Sequence, residues 1–278
     1  TATKGTAVGQ NCLQANTTGA ENTALGCNAL LNNSTGNQNT GLGVSALQGN
    51  TTAGNNTGLG FEALKGNTTG YSNVAVGAAT CDASTTAHGL TCVGQGAGGA
   101  ITTGIDNTCI GFVCGSGITT GQKNTLIGVS AGDVITTGQN NVCLGFDVDP
   151  SSSTVSNTVT LGNGSISTLR CNQTSISSLS DERDKTDIID IPVGLEFLNN
   201  LRPVKFKWQR REPDATDGKV RAGFIAQELQ TAQGDNDFLD LVMDENPNKL
   251  EAKQGNLIPV LVKAIQELSA KVTALEAG

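Results

Sequence analysis

Aromatic residues, methionine and histidine are nearly absent from this sequence of 278 residues. It has one tryptophan, one tyrosine, one methionine and one histidine, and only 3% of its residues are aromatic. Aromatic side chains supply much of the buried area in ordinary globular cores, so a thick core of that kind cannot run through the whole chain. Because glycine is abundant instead, with 36 residues, something other than a thick core must hold much of the chain together.

Basic residues are also scarce, with 17 Lys and Arg against 25 Asp and Glu and a net charge of −8. A nucleic-acid-binding protein needs basic residues to neutralise phosphates, so we expect no nucleic-acid partner. No apolar run approaches the roughly 18 to 20 residues that cross a bilayer, so we expect no membrane insertion. The lone His88 lies in a turn-like "TTAHG" and no Cys-x-x-Cys pair occurs, so we expect a surface turn there, no metal and no cofactor.

The charged residues divide the chain into two regions. Ten of them precede Ile166, whereas 32 follow it. We therefore predict a repeat region over 1–166, a linker over 167–180 and a compact domain over 181–278.

A 17-residue repeat fills the first region. It is marked by ten glycines, called the anchor glycines below: Gly9, Gly26, Gly43, Gly60, Gly77, Gly94, Gly111, Gly128, Gly145 and Gly162. The residue before each anchor glycine is Val, Leu or Ile, and two positions earlier stands Thr or Val. This alternating pair predicts a short strand with one face buried and a turn after it.

A second corner, typically "TTG", comes ten residues after each of the first eight anchor glycines, and asparagine usually precedes the strand. Both Asn and Gly tolerate the left-handed backbone of corners. One unit cannot bury its apolar face alone, but stacked units share a narrow core of Val, Ile, Leu and Ala. The prediction is a mainly β fold, a parallel β-solenoid of ten coils and roughly 50 Å.

The motifs "NTALGCNAL" and "NTGLGVSAL" resemble head repeats of trimeric autotransporter adhesins and repeats of phage tail fibres. This resemblance implies a trimer of parallel β-rolls. The adhesin repeats are shorter than 17 residues, so the handedness, and the choice between separate and intertwined coils, stay open.

The cysteines follow the register of the repeat. Cys92, Cys109 and Cys143 stand two residues before an anchor glycine, where other repeats have alanine. We predict buried small hydrophobes with free thiols, and the alternative is disulfides between neighbouring coils or chains. No paired carboxylates for glycan hydrolysis are evident, and Asp147 and Asp149 favour turn chemistry, so no turnover activity is expected in the solenoid.

The last region predicts an α+β domain that ends in a trimeric coiled-coil helix. A short helix is expected over 193–201 and a strand over 204–208, then a polar loop over 209–219, a second strand and a helix within 221–232. In the final segment, apolar residues step by four and three, with Glu267 and Lys271 as a pair outside them. The predicted trimer seam consists of Leu261, Ile265, Leu268, Val272 and Leu275.

Four motifs of this region occur in order: "SDERDKTDI", "LRPVKFKW", "GFIAQEL" and "LIPVLVKAIQELSAKVTALE". Together they resemble the intramolecular chaperone of phage tail spikes and fibres, the S74 peptidase family. That resemblance implies a domain that trimerises, guides folding of the preceding β-structure and then severs itself. It makes Ser180 the nucleophile, Lys185 the base and Ser180–Asp181 the scissile bond, and the nearby cation Arg183 is an auxiliary candidate.

The chemistry leaves alternatives at this site. The base must be a neutral amine, which burial or a cation such as Arg183 favours. A serine that attacks its own carbonyl forms a strained four-membered ring. The hydroxyl therefore acts through water or on a neighbouring chain, or the Leu179–Ser180 bond breaks through an N-to-O acyl shift. If the site is not catalytic, Ser180 is expected to cap a helix or turn, and Lys185 is expected to be solvated.

These features predict the distal part of a homotrimeric phage tail fibre, assembled in the host cytoplasm and located in the virion. A host cell-surface receptor or glycan is the expected outside partner. The alternatives are a bacterial trimeric surface adhesin, which explains the repeats but not the last hundred residues, and a glycan-degrading tail spike.

Overall fold

The computed structural model describes residues 5–172, 178–208 and 218–278. The chain divides into two compact units, Thr1–Ile166 and Ser167–Gly278.

The first unit is a parallel β-solenoid, as the repeat predicts. In its described part, strands pair with the strand 17 residues later, so each coil stacks on the next coil of the same chain and the coils are not intertwined. The strands are β1 Thr6–Val8, β2 Thr23–Leu25, β3 Thr40–Leu42, β4 Thr57–Leu59, β5 Val74–Val76, β6 Thr91–Val93, β7 Thr108–Ile110, β8 Thr125–Ile127, β9 Val142–Leu144 and β10 Val159–Leu161.

Each inner strand has one face buried, as the alternation predicts, and the buried face is that of the middle residue. In β7 the middle residue Cys109 is buried, whereas Thr108 and Ile110 on either side are partly exposed, and the other inner coils repeat this pattern. The coil is so narrow that its interior accepts mainly Ala, Gly or Cys at the middle position. The Val, Leu or Ile before each anchor glycine therefore points outward.

The interior of the solenoid combines these small residues with Leu and Ile from the following turn, such as Leu47, Leu64 and Ile118. The buried positions of Cys92, Cys109 and Cys143 confirm their prediction as alanine substitutes. The prediction of a free thiol is wrong for Cys92, because the inward-facing Cys81 of the neighbouring coil lies beside it and the two form a disulfide. Five cysteines of the solenoid are free thiols: Cys12, Cys27, Cys109, Cys114 and Cys143.

The asparagines that precede seven of the ten strands have a different role from the predicted one. These residues are buried, and the left-handed conformation belongs to the residue before them, for example Gln38 before Asn39. The Asn39 backbone N–H donates to Asn22 Oδ1 at 2.9 Å, and the Asn39 side chain donates to the carbonyl of Ala53 at 2.8 Å. The amides thus form a ladder that ties successive coils together and satisfies backbone groups inside them.

A second ladder of Asn16, Asn33, Asn50 and Asn67 stops where the next coil carries Ser84. Asn67 Nδ2 donates to Asn50 Oδ1 at 2.9 Å, but Asn67 Oδ1 and Ser84 Oγ are buried and find no hydrogen-bond partner among the described residues. We expect Ser84→Asn to raise the free energy of unfolding by about 1 to 2 kcal/mol, because the introduced amide can donate to Asn67 Oδ1. Urea unfolding followed by circular dichroism measures this change.

Ser84→Ala is the matched control for that substitution. It removes the unpaired hydroxyl but gives Asn67 no donor, so its gain in stability should be smaller. An asparagine variant that is less stable than the alanine variant would show that the ladder does not extend into this coil.

The anchor glycines form a column in which the backbones of successive coils touch. A Cβ atom on Gly111 would lie 2.2 Å from the carbonyl oxygen of Gly128, and Gly111 has φ +143°. Only glycine fits this close approach and this conformation.

The second unit has the predicted α+β composition. Its elements are α1 Leu195–Asn199, β11 Val204–Lys207, β12 Val220–Gly223, α2 Ala226–Gln233, β13 Val242–Met243, β14 Glu251–Ala252 and α3 Ile258–Glu276. The strands β11 and β12 form one antiparallel pair and β13 and β14 another, the latter without a counterpart in the predictions. Residues 209–217 of the predicted polar loop lie outside the described residues.

A small core joins these elements. Phe197 of α1, Leu229 of α2 and Val260 of α3 are buried together. Glu267, predicted to pair with Lys271, is used differently: its carboxylate accepts a hydrogen bond from the backbone N–H of Leu195 at 2.9 Å. It therefore caps the first turn of α1 from the neighbouring helix, which fixes α1 against α3.

Candidate functional site

Ser180 lies in an extended, exposed segment just before a 3-10 turn at Glu182–Asp184. Asp181 is the N-cap of this turn, because its side chain accepts a hydrogen bond from the backbone N–H of Arg183. The cap is thus Asp181 and not Ser180, which leaves the Ser180 hydroxyl available for other contacts. The turn brings the residue after it, Lys185, back towards Ser180.

Ser180 and Lys185 are in direct contact. Lys185 Nζ donates to Ser180 Oγ at 2.6 Å and to the carbonyl oxygen of Ser180 at 3.3 Å. A nucleophile within hydrogen-bond reach of its base is the geometry that covalent catalysis needs. The same amine also touches the carbonyl of the Ser180–Asp181 peptide bond, which it would polarise.

Arg183 does not turn towards Lys185. Its guanidinium binds Asp181, with Nε 3.0 Å from Oδ1 and Nη2 2.5 Å from Oδ2. The hydrogen bonds from Arg183 hold the pKa of the Asp181 carboxyl below its usual range. In the single chain Arg183 therefore stabilises the turn that carries the site.

The whole segment from Leu179 to Asp190 is exposed to solvent in the single chain. The contact between Ser180 and Lys185 is therefore open to water in the single chain. Apolar side chains share the exposed segment, since Leu179, Ile188 and Ile189 project into solvent. Exposed aliphatic residues thus lie on both sides of Ser180 and Lys185 along the chain.

The seam predicted on α3 is also uncovered in the single chain. Leu261, Ile265, Leu268, Val272 and Leu275 are 45–82% exposed. The buried residues of α3, Val260 and Ala264, occupy a different face near the start of the helix, and the buried Leu257 precedes them at the N-cap. The helix thus has one apolar face buried within the chain and a second one without a partner there.

Two of the four sequence motifs are linked through an ion pair. Arg202 of "LRPVKFKW" contacts Glu228 of "GFIAQEL" through two nitrogen–oxygen hydrogen bonds. The pKa of Arg202 is raised by these bonds. The pair lies at the surface, so it orients β11 and α2 more than it stabilises them.

The described part of the solenoid offers little catalytic chemistry. Among the residues described, no cluster of His, Cys, Asp or Glu could hold a metal ion. Asp147 has φ +52°, which confirms it as a turn residue, and His88 stacks on the Tyr71 ring at 4.6 Å. Burial raises the pKa of the Cys143 thiol to about 11, so this thiol stays protonated and unreactive at neutral pH. No helix in the described ranges has the length and apolar character needed to cross a bilayer.

Comparison with protein-family models gives one match. Residues 180–239 match the S74 peptidase family, described as a chaperone of endosialidase. The match begins at Ser180, covers α1, β11, β12 and α2, and ends before α3. Comparison with curated proteins and with solved structures finds no match for the chain.

Proposed function

We propose that this chain is part of a homotrimeric phage tail fibre or tail spike, with a C-terminal chaperone that assembles the trimer and then cleaves itself off. The observation that carries the proposal is the contact of Ser180 Oγ with Lys185 Nζ at the first residues of the segment that matches a chaperone family. In this proposal the solenoid is the part that stays in the fibre or spike after cleavage. Its outer surface would bind a host receptor or glycan. Residues 167–180 would be the linker, and 181–278 the part that is released.

The cleavage chemistry follows from the two side chains. A neutral Lys185 amine takes the proton of the Ser180 hydroxyl, and the oxygen attacks a peptide carbonyl carbon. The carbon–nitrogen bond breaks and its nitrogen takes up the proton, which leaves an ester that water hydrolyses. If the carbonyl of Leu179 is attacked, the ring formed has five members and an N-to-O acyl shift results. If the Ser180–Asp181 bond breaks, the hydroxyl acts through water or on a neighbouring chain.

Assembly would switch the reaction on. The reactive pair, the aliphatic residues beside it and the α3 seam are all exposed in one chain. A trimer that covers this segment removes water from Lys185 and favours its neutral form. Proteolysis would then follow correct assembly and not precede it.

Substituting a seam residue tests the link between assembly and cleavage. We expect Leu268→Asp to reduce both the trimer fraction and the rate of cleavage at least tenfold, because it places a charge in the apolar seam. Light scattering measures the mass of the assembly in solution, and denaturing gel electrophoresis measures the cleavage of the chain over time.

Ala270→Asp is the matched control for this substitution. Ala270 is exposed on the same helix but outside the seam, so the same charge should leave trimer and cleavage unchanged. A monomeric Leu268→Asp chain that cuts itself at the wild-type rate would contradict the proposed coupling.

A further inference from the structure

The outward face of the solenoid strands carries a continuous uncharged stripe. It consists of three residues of each coil, those three before, one before and one after the anchor glycine, and is called the outer stripe below. Because the strands pair in register, each of these positions forms a column along the solenoid. The last column is half or more exposed at Phe61 (54%), Phe112 (50%) and Phe146 (66%).

The outer stripe holds most of the exposed large hydrophobic side chains of the solenoid: of the sixteen between Val8 and Leu161, fourteen lie in its three columns, and Tyr71 and Val134 lie elsewhere. None of the ten charged residues that precede Ile166 falls in its three columns, through all ten repeats. The charges lie on other columns, such as Glu62 one position beyond the stripe and Lys123 before the strand. An apolar strip with a polar border is typical of a surface that another protein covers.

The area of the outer stripe can be compared with the areas of known protein interfaces. With strands about 4.8 Å apart and residues about 3.3 Å apart, three columns over ten coils span roughly 40 Å by 13 Å, about 500 Å². This is as large as the largest apolar patch of a typical monomer, yet below the roughly 800 Å² per partner of a stable complex. The stripe is therefore large enough to take part in an interface, but its area is too small to hold a stable complex unaided.

We infer that the outer stripes of three copies of this chain face one another and form the contact between the solenoids. The side chains of the outer stripe repeat once per coil along a straight line. A partner that covers them needs the same repeat distance and length, and a second copy of this chain has both. In a parallel threefold arrangement, each coil meets the equivalent coil of its neighbours at the same height. This inference rests on the proposed trimer and specifies which face of the solenoid it uses.

The order of residues in the last column would also fix the axial register. Polar Gln95 is one coil away from Phe112, and in register each of them meets its own copy. A slip by one coil would place Phe112 against Gln95 and bury an amide without a polar partner. The stripe thus specifies alignment, while the α3 seam supplies the additional association that the stripe lacks.

Cysteine cross-linking tests the inference in the full-length chain, since Cys27 is a free, partly exposed thiol in the last column of the stripe. In a Cys171→Ser background, mild oxidation with copper phenanthroline should link Cys27 between chains. Because two of three chains can pair, the disulfide-linked dimer should reach about two thirds of the chains on a non-reducing gel. Leu25→Cys with Cys27→Ser, a second stripe position, should also cross-link.

Thr35→Cys with Cys27→Ser is the matched control, because Thr35 is exposed on a corner of the same coil, outside the stripe. It should give less than a tenth of the cross-linking at the stripe. If light scattering shows a trimer but the stripe cysteines stay unlinked, or Thr35→Cys links as efficiently, the inference is overturned while the proposed trimer stands. If the chain is a monomer by light scattering, the proposed function fails as well.

Discussion

Ser180→Ala will leave the chain at its full length, whereas the wild type will lose the 98 residues from Asp181 to Gly278, about 10 kDa of its 28.3 kDa. The substitution removes the oxygen that lies 2.6 Å from Lys185 Nζ and leaves the turn at Glu182–Asp184 intact, because Asp181 and not Ser180 caps it. Loss of a nucleophile or its base lowers rates by about a hundredfold or more. Denaturing gel electrophoresis over time measures the change.

Lys185→Arg separates catalysis from structure at this site. Arginine keeps the positive charge and the hydrogen-bond donors, but it does not lose its proton and cannot accept one from serine. Cleavage should stop if Lys185 is the base and continue if it is only a hydrogen-bond donor. Ser178→Ala, an exposed serine two residues earlier, should cut normally. If the Ser180→Ala chain or the Lys185→Arg chain cleaved itself at the wild-type rate, the roles assigned to these two residues would be refuted.

Sequencing the released fragment identifies the broken bond. A fragment that begins with Asp181 indicates the Ser180–Asp181 bond, whose carbonyl oxygen lies 3.3 Å from Lys185 Nζ. A fragment that begins with Ser180 indicates the N-to-O acyl shift.

Gly111→Ala will destabilise the solenoid by about 3 to 5 kcal/mol, enough to lower the thermal transition markedly. The new Cβ would lie 2.2 Å from the carbonyl oxygen of Gly128, and the backbone at φ +143° is unfavourable for any residue with a Cβ atom. Since both atoms in this clash are fixed by the stacked coils, the clash cannot be relieved by a side-chain rotation. Thermal unfolding followed by circular dichroism measures the change.

Gly99→Ala is the matched control in the neighbouring coil. A Cβ there would have its nearest neighbour, the Gly96 carbonyl oxygen, at 3.3 Å, and Gly99 has no positive φ. Other coils carry Lys65, Asp82 and Asp133 at the same place in the repeat, so a side chain is accommodated. A change below about 1 kcal/mol is expected. If the two substitutions lowered the stability equally, the close approach of the anchor glycines would not be the reason that glycine is required at Gly111.

The period of 17 residues was enough to predict the strands, because the same pattern recurs ten times and each recurrence supports the others. The facing of the strands could not be predicted from alternation, which separates two faces without saying which one is inside. A signal was present in the middle residue: Ala24, Gly58 and Cys109 are small, as the interior of a narrow coil requires. The buried asparagines were missed because the ladder joins residues one coil apart, which a linear pattern does not display.

In the C-terminal unit, elements with a clear period were predictable and short ones were not. The helix α3 and the strand β11 show strong apolar spacing, whereas β13 and β14 have two residues each and give no periodic signal. At the site, the spacing of Ser180 and Lys185 was visible in the sequence. The role of Asp181 as cap was not predicted, although aspartate two residues before a backbone donor is a common capping signal.

The in-register stacking of the coils makes the length of this stalk adjustable in fixed increments. Each repeat bonds only to the ones directly above and below it, so a gene duplication or deletion of one whole repeat adds or removes a single rung of about 4.8 Å and leaves every remaining contact as it was. Evolution can therefore change the length of the solenoid without redesigning its remaining coils, provided that it works in whole repeats.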